Sequence, residues 1–232
     1  MTGQLINLQN YTITQLVFFF ICIFFWLYTY VFVVKDTIKY KFVQIPLFAI
    51  FLNFGWEITT TFWAHPDMGD IVYIGYIGWA VVDTIIVILS FIYGKSQLNH
   101  KIMKDNFYLI MAFGLTGGFI SMFFFIRQYD LPGAPLTGFI LNIEMSILFV
   151  LMALNHDIRL LSKHVAWGKF LGTSGASVTF FLKFPENNFL ITLYILIFIF
   201  DVIYIFLLYN PKVVKKQVRE KEDALLSPLG NI

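Results

Sequence analysis

Apolar residues gather into seven long runs, at residues 14–34, 42–63, 71–93, 107–126, 136–154, 165–182 and 189–209, parted by short polar stretches. A helix rises 1.5 Å per residue, so about 20 apolar residues suffice to cross the ~30 Å hydrocarbon layer of a bilayer. The pattern predicts an all-α integral membrane protein, a bundle of seven transmembrane helices. Composition agrees: 59% of the 232 residues are hydrophobic, 28 are Phe and only 13% are charged, which excludes an ordinary soluble domain.

The first run is too long, too aromatic and too poor in small residues at its end for a cleavable signal peptide, and it is kept as the first helix. Residues 1–211 then read as one membrane domain, and 212–232 as a short charged cytoplasmic tail. The single cysteine, Cys22, excludes an intramolecular disulfide and reads as a lipid-facing or core residue. Lys35, Lys39, Lys41, Lys95, Lys101, Lys104, Arg159, Lys163, Lys169 and five basic residues of the tail all fall on one side, leaving Arg127 and Lys183 on the other. By the positive-inside rule the amino terminus is outside and the tail cytoplasmic. Nothing separates an endoplasmic reticulum membrane from a bacterial inner membrane.

Glu57, Asp83, Glu144 and Asp201 lie inside the apolar runs, and with every basic residue assigned to an aqueous side none has a cation to neutralise it. An acid at mid-membrane costs roughly 2.5–3.5 kcal/mol, so four of them facing lipid are hard to tolerate. Counted from the outer helix ends, Glu57 lies ~9 Å deep, Glu144 ~12 Å, and Asp83 and Asp201 ~18 Å. Similar depth predicts one shared cavity in the outer half of the bundle. For any one acid, a purely structural hydrogen bond to a neighbouring helix accounts for it as well; four together point to a functional cavity.

Three of the acids have aromatic company. Asn53, Trp56 and Glu57 share one helix face, extended by Thr60 and Thr61; Tyr76, Trp79 and Asp83 are one turn apart; Asp201 and Tyr204 repeat the pairing. A carboxyl withdrawn from water favours its neutral, proton-donating form, and ring faces stabilise cations. Together they suit chemistry that protonates an apolar substrate and proceeds through carbocations, as in polyene cyclisation. Trp63, Tyr73 and Tyr129 read as interfacial anchors. Gly114 with Gly118, and Gly168, Gly172 and Ala176, read as close-packing positions.

The chain has neither the aspartate-rich DDxxD box that holds magnesium and diphosphate nor the DxDD box of soluble proton-initiated cyclases. His65, Asp67 and Asp70 beside Pro66 read as a turn and helix cap, and Asn155, His156, Asp157 and His164 as solvated loop residues. No spacing implies a metal or cofactor, and no nucleic-acid partner is expected.

On the Asn53, Trp56 and Glu57 cluster, Trp79 with Asp83, the stretch Lys169-Phe170-Leu171-Gly172-Thr173, and Asp201 with Tyr204, the chain resembles the membrane-bound terpene cyclases of meroterpenoid and indole diterpenoid biosynthesis over essentially its whole length. The resemblance implies that Glu57 and Asp201 are the essential acids, taking part in protonating an epoxide or terminal alkene of a prenylated lipophilic substrate that arrives from the bilayer. It makes Asp83 and Glu144 secondary, and Asn53, Trp56, Tyr76, Trp79 and Tyr204 the cavity and cation-stabilising residues.

Buried acids equally suit a small proton-coupled transporter, although no internal repeat or broken helix pair is evident and no polar path continues inward. A seven-helix receptor or photoreceptor is disfavoured by short loops and by a last run without the lysine a retinal Schiff base needs.

Overall fold

The computed structural model describes residues 4–210 and 212; the predicted tail lies outside them, save Lys212. Among the described residues there are helices and no strands: α1 (Ile13–Tyr40), α2 (Ala49–Thr59), α3 (Asp70–Gln97), α4 (Lys101–Asp105), α5 (Phe107–Tyr129), α6 (Pro135–Asn155), α7 (Lys163–Lys183) and α8 (Asn188–Tyr209). Each predicted run falls on one of these helices, and α4 is a short addition in the loop before α5.

Local chemistry sets the ends. Thr12 starts α1 through a capping box, its hydroxyl accepting from the Gln15 amide (3.3 Å) while the Gln15 side chain accepts from the Thr12 amide (2.8 Å). Lys41, in the left-handed region at φ 54°, stops it. Asp130 holds the start of α6, its carboxylate accepting from the amides of Leu136 (2.8 Å) and Thr137 (2.9 Å), with Pro135 at the first position.

The second helix is shorter than its apolar run predicts. Residues 42–48 are irregular and the helix begins at Ala49. Pro46 lacks an amide proton and disfavours helical backbone in the residue before it. Residues 42–47 of this irregular segment are nevertheless buried, which is tolerable in a membrane protein only where the polar backbone finds partners in the protein. Gln97 supplies two, accepting from the Val43 amide (3.1 Å) and donating to the Val43 carbonyl (3.2 Å), and the Thr37 hydroxyl accepts from the Gln44 amide (3.2 Å). The Gln44 side chain in turn donates to the Leu160 carbonyl (2.8 Å) and accepts from the Ser162 amide (2.9 Å). At its other end α2 widens into a π-turn over Thr60–Ala64.

Six helices close a ring in the order α1, α3, α2, α6, α8, α7 and back to α1, with α5 packed outside against α2. Five, α1, α3, α5, α6 and α8, are long and apolar enough to cross a membrane by length and composition. The seven-span expectation is therefore met by length and composition in five helices. The helical part of α2 is too short, and α7 carries Lys169, Thr173, Ser174, Ser177 and Thr179 within its length.

Glycine lets two pairs of helices touch backbone to backbone. A Cβ on Gly118 of α5 would collide with the Phe51 carbonyl of α2, and one on Gly55 would stand 2.6 Å from the Gly118 carbonyl. On α7, a Cβ at Gly175 would meet the Phe18 carbonyl of α1 at 2.8 Å, and one at Gly172 the Trp26 ring at the same distance. Gly118→Leu is expected to lower stability by about 1–3 kcal/mol through overpacking. Gly117→Leu, whose Cβ would meet nothing within 4 Å, should leave it unchanged. Thermal unfolding of the detergent-solubilised protein reads both.

Candidate active site

The ring surrounds a partly open recess bounded by α1, α2, α3, α6 and α7. Eight lining side chains are aromatic, and Glu57 is the one carboxylic acid among them. The rings brace one another: Trp56 lies 5.7 Å from Tyr76, Tyr76 5.0 Å from Trp79, and Phe19 6.1 Å edge-on to Phe180, which meets Phe139 at 6.1 Å.

Glu57 is buried, and one of its oxygens is committed: the Tyr30 hydroxyl donates to Oε1 (3.1 Å), itself accepting from the Asn53 amide (2.8 Å). The other, Oε2, has no partner. Thus the predicted Asn53 and Glu57 are joined by hydrogen bonds through a tyrosine on a different helix. Asp83 is fully buried with Asn53 beside its carboxylate, and is not among the lining residues.

Trp56 is fixed from the loop side. Its indole N–H donates to the Thr137 hydroxyl (3.1 Å), which donates to the Asp130 carboxylate. The same aspartate that starts α6 therefore orients one wall of the recess.

Asp201 stands elsewhere. It lies on a separate cleft between α7 and α8 and is ion-paired at 2.6 Å with Lys169, whose ammonium also donates to the Ser146 hydroxyl (2.7 Å). Two expectations are corrected here. Lys169, taken as a cytoplasmic charge, is 1% exposed and lies six residues into α7, so the apolar runs do contain a cation for one acid. The acids consequently share no single cavity, since Asp201 is paired with Lys169 on the α7–α8 side. Glu144 is only partly buried, with Oε2 unpartnered, and lines neither space. Tyr204 is buried against Phe149 (4.9 Å) and does not line the recess, so its ring is part of the packing.

The two centres communicate through α6. Ser146 donates to the Asn142 carbonyl (2.8 Å), and the Asn142 side chain accepts from the Thr173 hydroxyl (3.2 Å) and lines the recess. The α1 wall, Phe19, Cys22, Trp26 and Tyr30, was not anticipated, although spacings of three and four residues put these positions on one face. Trp26 and Tyr30 lie well inside the run, away from the interface where such residues anchor by default.

Among the described residues no group of three His, Cys, Asp or Glu side chains could hold a metal ion. Asp67 accepts from the Tyr11 hydroxyl (2.6 Å), and Asp70 opens α3. Burial, followed by the Asp67 carboxylate, holds the Tyr11 phenol above its ordinary range.

A helical membrane protein with an aromatic recess around one acid offers surroundings suited to an apolar occupant. Residues 6–213 match the family model of the Pyr4-like transmembrane terpene cyclases, and the chain belongs to that family. No curated protein and no solved structure matches the chain.

The ion pair gives a test of the packing. Lys169→Met leaves the Asp201 charge buried and alone, and is expected to cost about 3–5 kcal/mol. The double variant Lys169→Met with Asp201→Leu should recover most of that loss in the same thermal-unfolding measurement, because paired apolar replacements remove both charges.

Proposed function

We propose that the protein cyclises a prenylated lipophilic substrate by protonating its epoxide or terminal alkene, with Glu57 as the acid. The observation that carries this is the unpartnered Glu57 Oε2 in an aromatic recess where it is the one carboxylic acid. The Glu57 O–H gives its proton to the epoxide oxygen or the terminal alkene carbon. The neighbouring double bonds then close in turn as each attacks the cationic carbon. The last cation loses a proton, so one proton enters and one leaves and the product is an isomer of the substrate. Tyr30 steadies the carboxylate left behind, since its hydroxyl already donates to Oε1. The faces of Trp56, Tyr76 and Trp79 stabilise the travelling positive charge and exclude water that would quench it.

In this reading Asp201 acts as a positioning residue. Its carboxylate fixes Lys169, Lys169 fixes Ser146, and Ser146 holds the Asn142 turn of the recess wall. Asp83 is a supporting acid behind Asn53 and Glu57, and Glu144 a supporting group outside the recess.

Membranes containing the protein should convert an epoxyfarnesyl-substituted phenol, or its non-epoxidised parent, to a product of unchanged mass. Positioned acids contribute roughly 10²–10⁴-fold, so Glu57→Gln should lower turnover by about that factor with unfolding unchanged. Wild-type turnover in that variant, followed by mass spectrometry, would remove Glu57 from the acid role.

A further inference from the structure

A second space adjoins the recess at the end of the bundle where the 65–69 and 130–134 loops lie. It is open on one side and includes Thr60, His65, Pro66, Leu131 and Pro132 in its wall. Tyr76, Gly133 and Ala134 border both spaces, so the two meet at a neck formed by one ring and two small residues.

Polarity changes along this path. The recess is walled by aromatic rings around a single acid, whereas the outer space has an exposed imidazole, a threonine hydroxyl and backbone of a turn. The turn is shaped for the purpose: Gly133 sits at φ 87° and Ala134 at φ 53°, bringing bare backbone to the neck. His65 is likewise held in a positive-φ conformation, at φ 39°, where the π-turn of α2 ends, with its ring edge-on to Tyr73 at 5.3 Å. Non-glycine residues held in such conformations cluster at functional sites. Asp130 is not available to a ligand, since its carboxylate is occupied by the amides of Leu131, Leu136 and Thr137 and by the Thr137 hydroxyl. The free polar group that faces an occupant is His65.

We infer that the outer space binds the polar head of the substrate, a flat hydroxyl- or carbonyl-bearing ring held between His65 and the Pro66 and Pro132 walls, while the prenyl tail passes the Tyr76 neck with its reactive end at Glu57. The inference rests on the preceding reading for which end of the substrate lies deep. Glu57 lies in α2 and His65 follows the π-turn that ends it, so the acid and the imidazole stand at different depths of the same path. Head-group choice and cyclisation chemistry are thereby assigned to different residues.

Two probes separate the spaces: epoxyfarnesyl resorcinol, which carries the head, and epoxyfarnesyl acetate, which lacks it. Equilibrium binding is measured on detergent-solubilised Glu57→Gln protein, so that nothing turns over. His65→Trp, which fills the outer space, is expected to weaken the resorcinol at least tenfold and leave the acetate within twofold. His65→Ala, the milder change, should weaken the resorcinol alone. Equal weakening of both probes, or none of the resorcinol, would overturn the assignment. Turnover by the parent protein judges the acid separately: probes that bind with this discrimination but are not cyclised would sink the role of Glu57 and leave the head site standing.

Discussion

In hydrocarbon there is no water to satisfy a polar group, and the whole arrangement follows from that constraint. Each departure from plain helix is bought with an internal partner. The irregular buried segment 42–47 is held by Gln44 and Gln97, the hydroxyls of α7 turn back to their own helix or reach α6 and α1, and Lys169 meets Asp201 and Ser146. Partners are missing at a few buried atoms, among them Glu57 Oε2, the Trp79 indole nitrogen and Glu144 Oε2, and of the carboxylic acids in that group Glu57 is the one that lines the aromatic recess.

The same constraint explains how the recess keeps its shape. Apolar attraction between helices is weak when lipid is as apolar as protein, so close backbone approach and hydrogen bonds must do the work. Gly175 and Gly172 seat α7 on α1, and Gly55 and Gly118 seat α5 on α2. These contacts draw two helix pairs tight, and the aromatic side chains of α1, α2, α3 and α6 meet in the space left between them. Asp130 shows how economical the arrangement is, since one carboxylate starts a helix and orients Thr137 beneath the Trp56 indole.

Much of this was legible in the sequence. Run length alone located the helices, and the Asn53, Trp56 and Glu57 spacing marked the acid face. Three things were not. Lys169 was read as a surface charge because it lies only six residues from a helix end, close enough to snorkel; its inward direction depends on Asp201, which is 32 positions away along the chain. The start of α2 was misplaced because residues 42–47 are apolar enough to be buried, and burial by itself does not distinguish helix from irregular chain; Pro46 was the signal. The α1 wall has only a weak signal, the spacing of Phe19, Cys22, Trp26 and Tyr30, because a run apolar on nearly every side shows little contrast between its inward and lipid faces.

The ion pair also bears on how the protein is made. Synthesis delivers Lys169 to the membrane before Asp201, and a lone lysine in hydrocarbon carries a cost of the order of 2.5–3.5 kcal/mol. Only residues 184–187 separate α7 from α8, so the two helices can enter as a hairpin with the charges already matched. On this view α7, the least apolar of the long helices, owes its place in the bilayer to the helix that follows it.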